Sequence, residues 1–270
     1  MQRSSSGSAP QTAQQHSLAP TPTPATSIRL NKALAQAGVC SRRAADDLIR
    51  AGRVTVNGVA ADLGTPVAPS DDVRLDGASI RMASEAEPQL FFMLNKPIQV
   101  VTTARDPEGR TTVLDLMGQA ANGRRLFPVG RLDFFSEGLL ILTTDGELAN
   151  RLMHPRWHLP KLYRLTVRED VSDAALAAMR AGMTLAEGEK LAPVKARIVA
   201  RDIRSTTLEM ELIQGVNRQI RRMCRDLGLT ILRLWRVQQG PLLLGDLPGG
   251  KYRPLTAGEV AALKKAVGLG

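Results

Sequence analysis

The chain has 270 residues, 43% of them hydrophobic, which excludes wholesale disorder and leaves room for two compact domains. A formal net charge of +10 points to a polyanionic partner, either nucleic acid or an anionic membrane surface. No run of about eighteen apolar residues occurs, so no membrane span is expected.

Residues 1–27 contain no acidic residue and are rich in Ser, Thr, Pro, Gln and Ala. They lack the apolar core of a secretory signal and read as a disordered N-terminal extension. Order is expected from Ile28. The stretch from Leu30 to Ala37 has helical apolar spacing stopped by Gly38, and Ser41 caps a second helix through Arg50, ended by Gly52. Val54 to Ala60 alternates as a strand and is broken by Asn57-Gly58, a strong hairpin signal. Val73 to Gly77 supplies another strand and turn, which makes residues 28–82 a small ααβ domain. Ser41 with the N-terminus of its helix, and Arg42, Arg43, Arg50 and Arg53 around it, are candidate phosphate contacts. Asp46 and Asp47 dilute that signal.

Residues 83–89 read as a linker, and residues 90–270 as an α+β domain of catalytic size. Leu90 to Leu94 is a buried strand ended by Asn95-Lys96-Pro97. Leu139 to Thr143 is a second, closed by Asp145-Gly146 and followed by a short helix through Met153. Tyr163, Leu165 and Val167 alternate along a third. Ser172 caps a helix to Arg180, and Leu208 to Leu212 reads as a half-exposed strand. Asn217 to Leu227 reads as a helix ended by Gly228, and Thr256 with Glu259 forms a capping box opening the last helix.

The Asn217 helix carries Arg218, Arg221, Arg222 and Arg225 at i, i+3, i+4 and i+7, beside an apolar face of Ile220, Met223, Cys224 and Leu227. Such a face is either an ordinary solvated one or a phosphate-binding one. The use of Arg rather than Lys favours planar, bidentate phosphate contact. Neither basic region has the Trp- or Phe-lined face of a membrane helix. With only 3% aromatic residues, a multi-base stacking platform is also disfavoured, and shape recognition of folded RNA fits better. Cys40 and Cys224 form no disulfide framework or metal spacing and read as buried thiols of a cytoplasmic protein. His154 and His158 read as loop or RNA-rim residues.

Gly130-Arg131-Leu132-Asp133 stands just before the Leu139 strand and puts a carboxylate beside a guanidinium on a loop that the strand steadies. A neighbouring Arg favours the charged carboxylate, as a nucleophilic or charge-stabilising Asp requires. A lone loop Asp is, all the same, more often a turn or cap residue, Tyr163 more often core filler, and Lys161 more often a solvated edge residue. Lys161, Tyr163 and Leu165 share one strand face.

Several motifs in order carry a family resemblance. Asn95-Lys96-Pro97, Gly130 to Asp133, Ser136 to Leu140, Lys161-Leu162-Tyr163 and Asn217 to Met223 resemble the RsuA/RluB/RluE/RluF branch of ribosomal RNA pseudouridine synthases. The Ser41-Arg42-Arg43 helix and the Arg53 to Gly58 hairpin resemble the S4-type RNA-binding domain that precedes the catalytic domain there. The resemblance implies a mixed, mainly antiparallel sheet flanked by helices, and conversion of uridine to pseudouridine without metal or organic cofactor. It implies Asp133 as the catalytic carboxylate, Tyr163 stacking on the flipped base, and Arg221 paired with Asp133. It further implies Lys161 supporting that cluster with Leu165 behind it, Arg131 against the flipped nucleotide, and Lys96, Asn217, Arg218, Arg222 and Arg225 along the RNA.

Many relatives carry Arg where this chain has Val216, and Gln214 to Gln219 resembles the RluF-like subgroup, which acts on large-subunit ribosomal RNA. The expected partner is therefore structured ribosomal RNA, free or in a pre-ribosomal particle, met by a monomer in the cytoplasm. Alternatives are a small-subunit target or a non-catalytic ribosome-assembly factor. A different RNA-modifying enzyme is disfavoured, because no Gly-rich nucleotide loop is present.

Overall fold

The computed structural model describes residues 27–81 and 88–269. The expected disordered extension (1–27) and linker (83–89) therefore fall almost wholly outside the described residues. The N-terminal unit runs β1 (Ile28–Arg29), α1 (Leu30–Gln36), α2 (Arg42–Arg50), β2 (Val54–Val56), β3 (Val59–Ala60), β4 (Pro66–Val67), β5 (Val73–Leu75) and β6 (Ala78–Ser79). Leu30, Leu34, Ala45, Ile49, Val54 and Val73 close its core. Asn57 and Gly58 take φ of 51° and 82°, the left-handed pair that a two-residue hairpin needs between β2 and β3.

The C-terminal unit continues with β7 (Phe91–Lys96), β8 (Phe127–Pro128), β9 (Glu137–Thr143), α3 (Gly146–Met153), β10 (Lys161–Val167), α4 (Asp173–Ala181), β11 (Lys195–Asp202) and β12 (Ser205–Leu212). It ends with α5 (Gln219–Asp226), β13 (Ile231–Gln239), β14 (Leu242–Leu243), β15 (Tyr252–Pro254) and α6 (Ala257–Ala266). Its nine-stranded sheet has the order β11-β12-β10-β13-β9-β7-β15, with β14 on β13 and β8 on β9. Every pairing is antiparallel except β13 with β9, a two-residue parallel seam matching Trp235 to Glu137 and Arg236 to Gly138.

The Leu139–Leu142 run is apolar throughout because β9 is covered on both faces. Leu139 and Ile141 face the core beneath α3 and α6, while Leu140 and Leu142 pack with Leu126, Leu132 and Met117. A third core gathers Leu165, Leu208, Leu234, Ile220 and Met223 under α4 and α5. The expected capping box is present, with Glu259 N–H donating to Thr256 Oγ1 (3.2 Å) and Thr256 N–H to Glu259 Oε2 (2.8 Å).

Three readings need correction. Helix α5 starts at Gln219, and Arg218 stands before it with φ of 50°, so it is not part of the helical arginine face. Strand β7 runs on through Asn95 to Lys96, its last residue, so it extends two residues beyond the expected end and stops at Pro97. The nine-residue strand β13 is an element that the sequence reading does not contain.

Candidate active site

The loop from Val129 to Ser136 enters β9 at the seam, and a cleft of about 440 Å³ opens beside it. Gly130, Arg131, Asp133, Lys161, Tyr163, Arg218, Arg221 and Arg236 all line this cleft. Asp133 begins a β-turn closed by the Ser136 N–H donating to Asp133 O (3.0 Å). Leu132 is buried, and its N–H and O are both held by the Thr102 hydroxyl (3.2 and 2.8 Å), so the loop has little freedom.

Asp133 Oδ2 faces two guanidinium groups, Arg221 Nε at 3.5 Å and Arg218 Nη1 at 3.6 Å. Arg221 Nη2 also donates to Phe135 O (2.8 Å) and Ser136 Oγ (3.0 Å), which ties α5 to the Asp133 turn. Burial pulls the Arg221 guanidinium below the ordinary arginine range, and the Asp133 charge opposes that pull. So the carboxylate's partners are the arginines of the α5 entry; Arg131 is exposed and lines the cleft without pairing to it.

Tyr163 projects from β10 between two apolar clusters. In register it faces Arg236 of β13, which in turn matches Gly138 of β9. Arg236 is fully buried; its Nε donates to Leu139 O (2.7 Å) and its Nη1 reaches Tyr163 Oη (3.5 Å). Gly138 has φ of 109°, and a Cβ there would meet Arg236 O at 2.2 Å, so only glycine allows the seam to close. Sequence reasoning missed Arg236. The signal was present, since Leu234 and Arg236 share an inward parity along β13, and a charge at a core parity position is unusual.

Lys161 lines the cleft, but its Nζ donates to Leu159 O (2.9 Å) and Asp133 is not among its ion-pair partners. Burial, reinforced by Arg236, brings its ammonium down to about 8. Leu165 is fully buried in the third core behind Tyr163 and does not line the cleft. Lys96 is also fully buried, with Nζ donating to Ser136 O (2.8 Å) and Pro97 O (2.9 Å), so it ties down the Asp133 loop instead of standing on the surface as an RNA contact would. Burial pulls its ammonium down to about 8 despite the nearby Asp133 and Glu137.

The other arginines are more engaged than their spacing suggested. Arg222 pairs with Glu189 (2.6 Å) and Glu187 (3.0 Å), and Arg225 with Glu187 and Asp226 (both 2.7 Å). Glu187 and Glu189 come from the loop after α4, which a single-helix reading cannot see, while Asp226 is the last residue of α5 itself. Arg50 pairs with Asp47 and Arg53 with Asp76. The Ser41 hydroxyl accepts from Ala44 N–H as a helix cap, while Arg42 and Arg43 are exposed. Asn217 is exposed on the cleft wall. The Cys224 thiol is buried and pushed up to about 12, which leaves it inert.

Comparisons with known proteins identify both units. Residues 90–226 match the family described as RNA pseudouridylate synthase, and residues 28–73 match the S4 domain. The ribosomal large subunit pseudouridine synthase B of Bacillus subtilis is 39% identical over 239 residues, covering 87% of this chain and 95% of its own. The dual-specificity RNA pseudouridine synthase RluF of Escherichia coli K12 is 35% identical over 244 residues, covering 90% of this chain and 81% of its own. A pseudouridylate synthase crystal structure superposes with a TM-score of 0.63 at 29% identity, covering 87% of this chain and 99% of its own.

Proposed function

The chain belongs to the RNA pseudouridylate synthase family, and from that premise we propose that Asp133 is its catalytic carboxylate, with a uridine of large-subunit ribosomal RNA as substrate. The reaction isomerises uridine. The C1′–N1 bond breaks, the freed uracil turns, C1′ bonds to C5, and the C5 proton leaves while N1 gains one. Asp133 acts at the anomeric carbon while that bond is open. Arg221 and Arg218 keep its charge and direction through the cycle. Tyr163 takes the base against its ring, and Arg131 meets the displaced nucleotide. The uridine must leave its stack to reach this cleft, because the scissile bond is inaccessible within a helix.

The observation that carries the proposal is a carboxylate 3.5 and 3.6 Å from two guanidinium groups, in a cleft also walled by a tyrosine. The large-subunit target is supported by relatives named for it. No helix among the described residues is long and apolar enough to cross a membrane. The proposal takes the enzyme as a monomer of the cytoplasm, meeting ribosomal RNA free or in an assembling particle. Purified protein should release tritium from ribosomal RNA transcribed with [5-³H]uridine, since only loss of the C5 proton frees the label. Absence of release from both ribosomal RNAs would refute the assignment.

A further inference from the structure

Phe135 is an unexpected side chain in its position. It is the third residue of the Asp133–Ser136 turn, yet it is 60% exposed. Among the large exposed apolar residues of the chain, Phe135 is the phenylalanine, and it stands between two residues that line the cleft, Asp133 and Ser136. Its placement is fixed. Arg221 Nη2 holds the Phe135 carbonyl at 2.8 Å while Arg221 Nε faces Asp133 at 3.5 Å, so one guanidinium sets ring-bearing backbone and carboxylate together. Phe134 braces the ring edge to face, with centroids 5.0 Å apart and planes at 80°.

The neighbouring loop reinforces the same edge. Gln99 N–H donates to Phe134 O (2.7 Å), and Gln99 holds φ of 62°, a left-handed conformation strained for a residue with a side chain. Ile98, just before it, is half exposed. Phe135 stands between Asp133 and Ser136, which both line the cleft, and an exposed ring at that place suits a ligand with an apolar face. The surrounding charges narrow its chemistry, since exposed Arg131 and half-exposed Arg218 stand at the same cleft. A ligand that is flat and apolar on its faces and anionic along its backbone is a nucleotide.

We infer that the Phe135 ring is the stacking platform for the base that flanks the flipped uridine. This role presupposes the uridine site proposed above and adds to it. Withdrawing one base from a strand leaves its neighbour with an uncovered face, and an exposed aromatic ring two residues from Asp133 is placed to cover it. Phe135 is thus a positioning residue that holds the strand open while Asp133 works.

The test is single-turnover kinetics on an RNA hairpin containing the mapped target uridine. Phe135→Ala should raise the protein concentration giving half-maximal rate about tenfold or more, within the range that base–aromatic stacking supports. The maximal rate and the melting temperature should change little. Phe135→Trp should restore binding, and Phe135→Leu, apolar but not planar, should not. An abasic nucleotide beside the target should weaken wild type and leave Phe135→Ala indifferent. Wild-type turnover with an unaltered half-maximal concentration in Phe135→Ala, or equal sensitivity of both proteins to the abasic site, would overturn the stacking role alone. A wild type that makes no product would overturn the function and this role with it.

Discussion

Lys161 and Arg236 line the cleft and Lys96 holds the loop beside it, and Lys96 and Arg236 are both fully buried. Burial lowers both lysines to about 8 from 10.5, so between those values the unfolded chain holds more protons than the folded one. Stability contributed by these groups must therefore rise with pH from about 8 to 10.5. Lys96→Met should flatten that rise in denaturant-unfolding experiments; an unchanged slope would show the ammonium to be hydrated. Asp133, Tyr163 and Arg221 were legible because their motifs occur in order, and the fold brings them to one cleft. Lys96 was misread because a lysine at a strand end is ordinarily a surface group. Arg236 was overlooked because an arginine is ordinarily a surface group, and only the pairing of β13 with β10 and β9 shows that this one is buried.

At the level of elements, the seam between β9 and β13 and the entry to α5 decide the site. Gly138→Ala places a Cβ 2.2 Å from Arg236 O in a conformation that disfavours side chains. It should cost about 2–5 kcal/mol, combining overpacking with backbone strain. Thermal unfolding would report this, and a melting temperature equal to wild type would mean that the seam can part without loss. The elements with strong caps or alternation, such as α2, α4, α6 and the β2–β3 hairpin, follow directly from local residues. The parallel seam does not, because nothing local says that a nine-residue arginine-bearing strand will lie against Gly138 almost a hundred residues earlier. The basic helix divides for the same reason. Arg218→Ala should reduce the slope of log K against log salt by about 0.7–0.9, the loss of one phosphate contact. Arg222→Ala, whose partners are Glu187 and Glu189, should leave the slope nearly unchanged. Equal effects from both would show that the carboxylates give way to RNA.

Across the whole molecule, the positive charge is concentrated in the larger unit built on a single sheet, residues 88–270 with a net +9, while the small unit with its own core, residues 28–81, carries a net +2. The cleft lies wholly in the larger unit, and every residue lining it falls between Val129 and Gln239. Removing residues 28–81 should therefore weaken RNA binding at physiological salt and leave the Asp133 site folded, which near-ultraviolet circular dichroism and a binding titration would separate. Undiminished affinity would assign RNA capture to the catalytic unit alone. The proposed chemistry turns on one carboxylate held by two arginines. Asp133→Asn keeps the volume of that side chain and removes its charge. Pseudouridine should be mapped at nucleotide resolution in ribosomal RNA from cells carrying the intact gene, a deletion, or Asp133→Asn. Loss of the same site in the deletion and in Asp133→Asn, with the protein still folded, is the predicted result. A map identical in all three strains would contradict it.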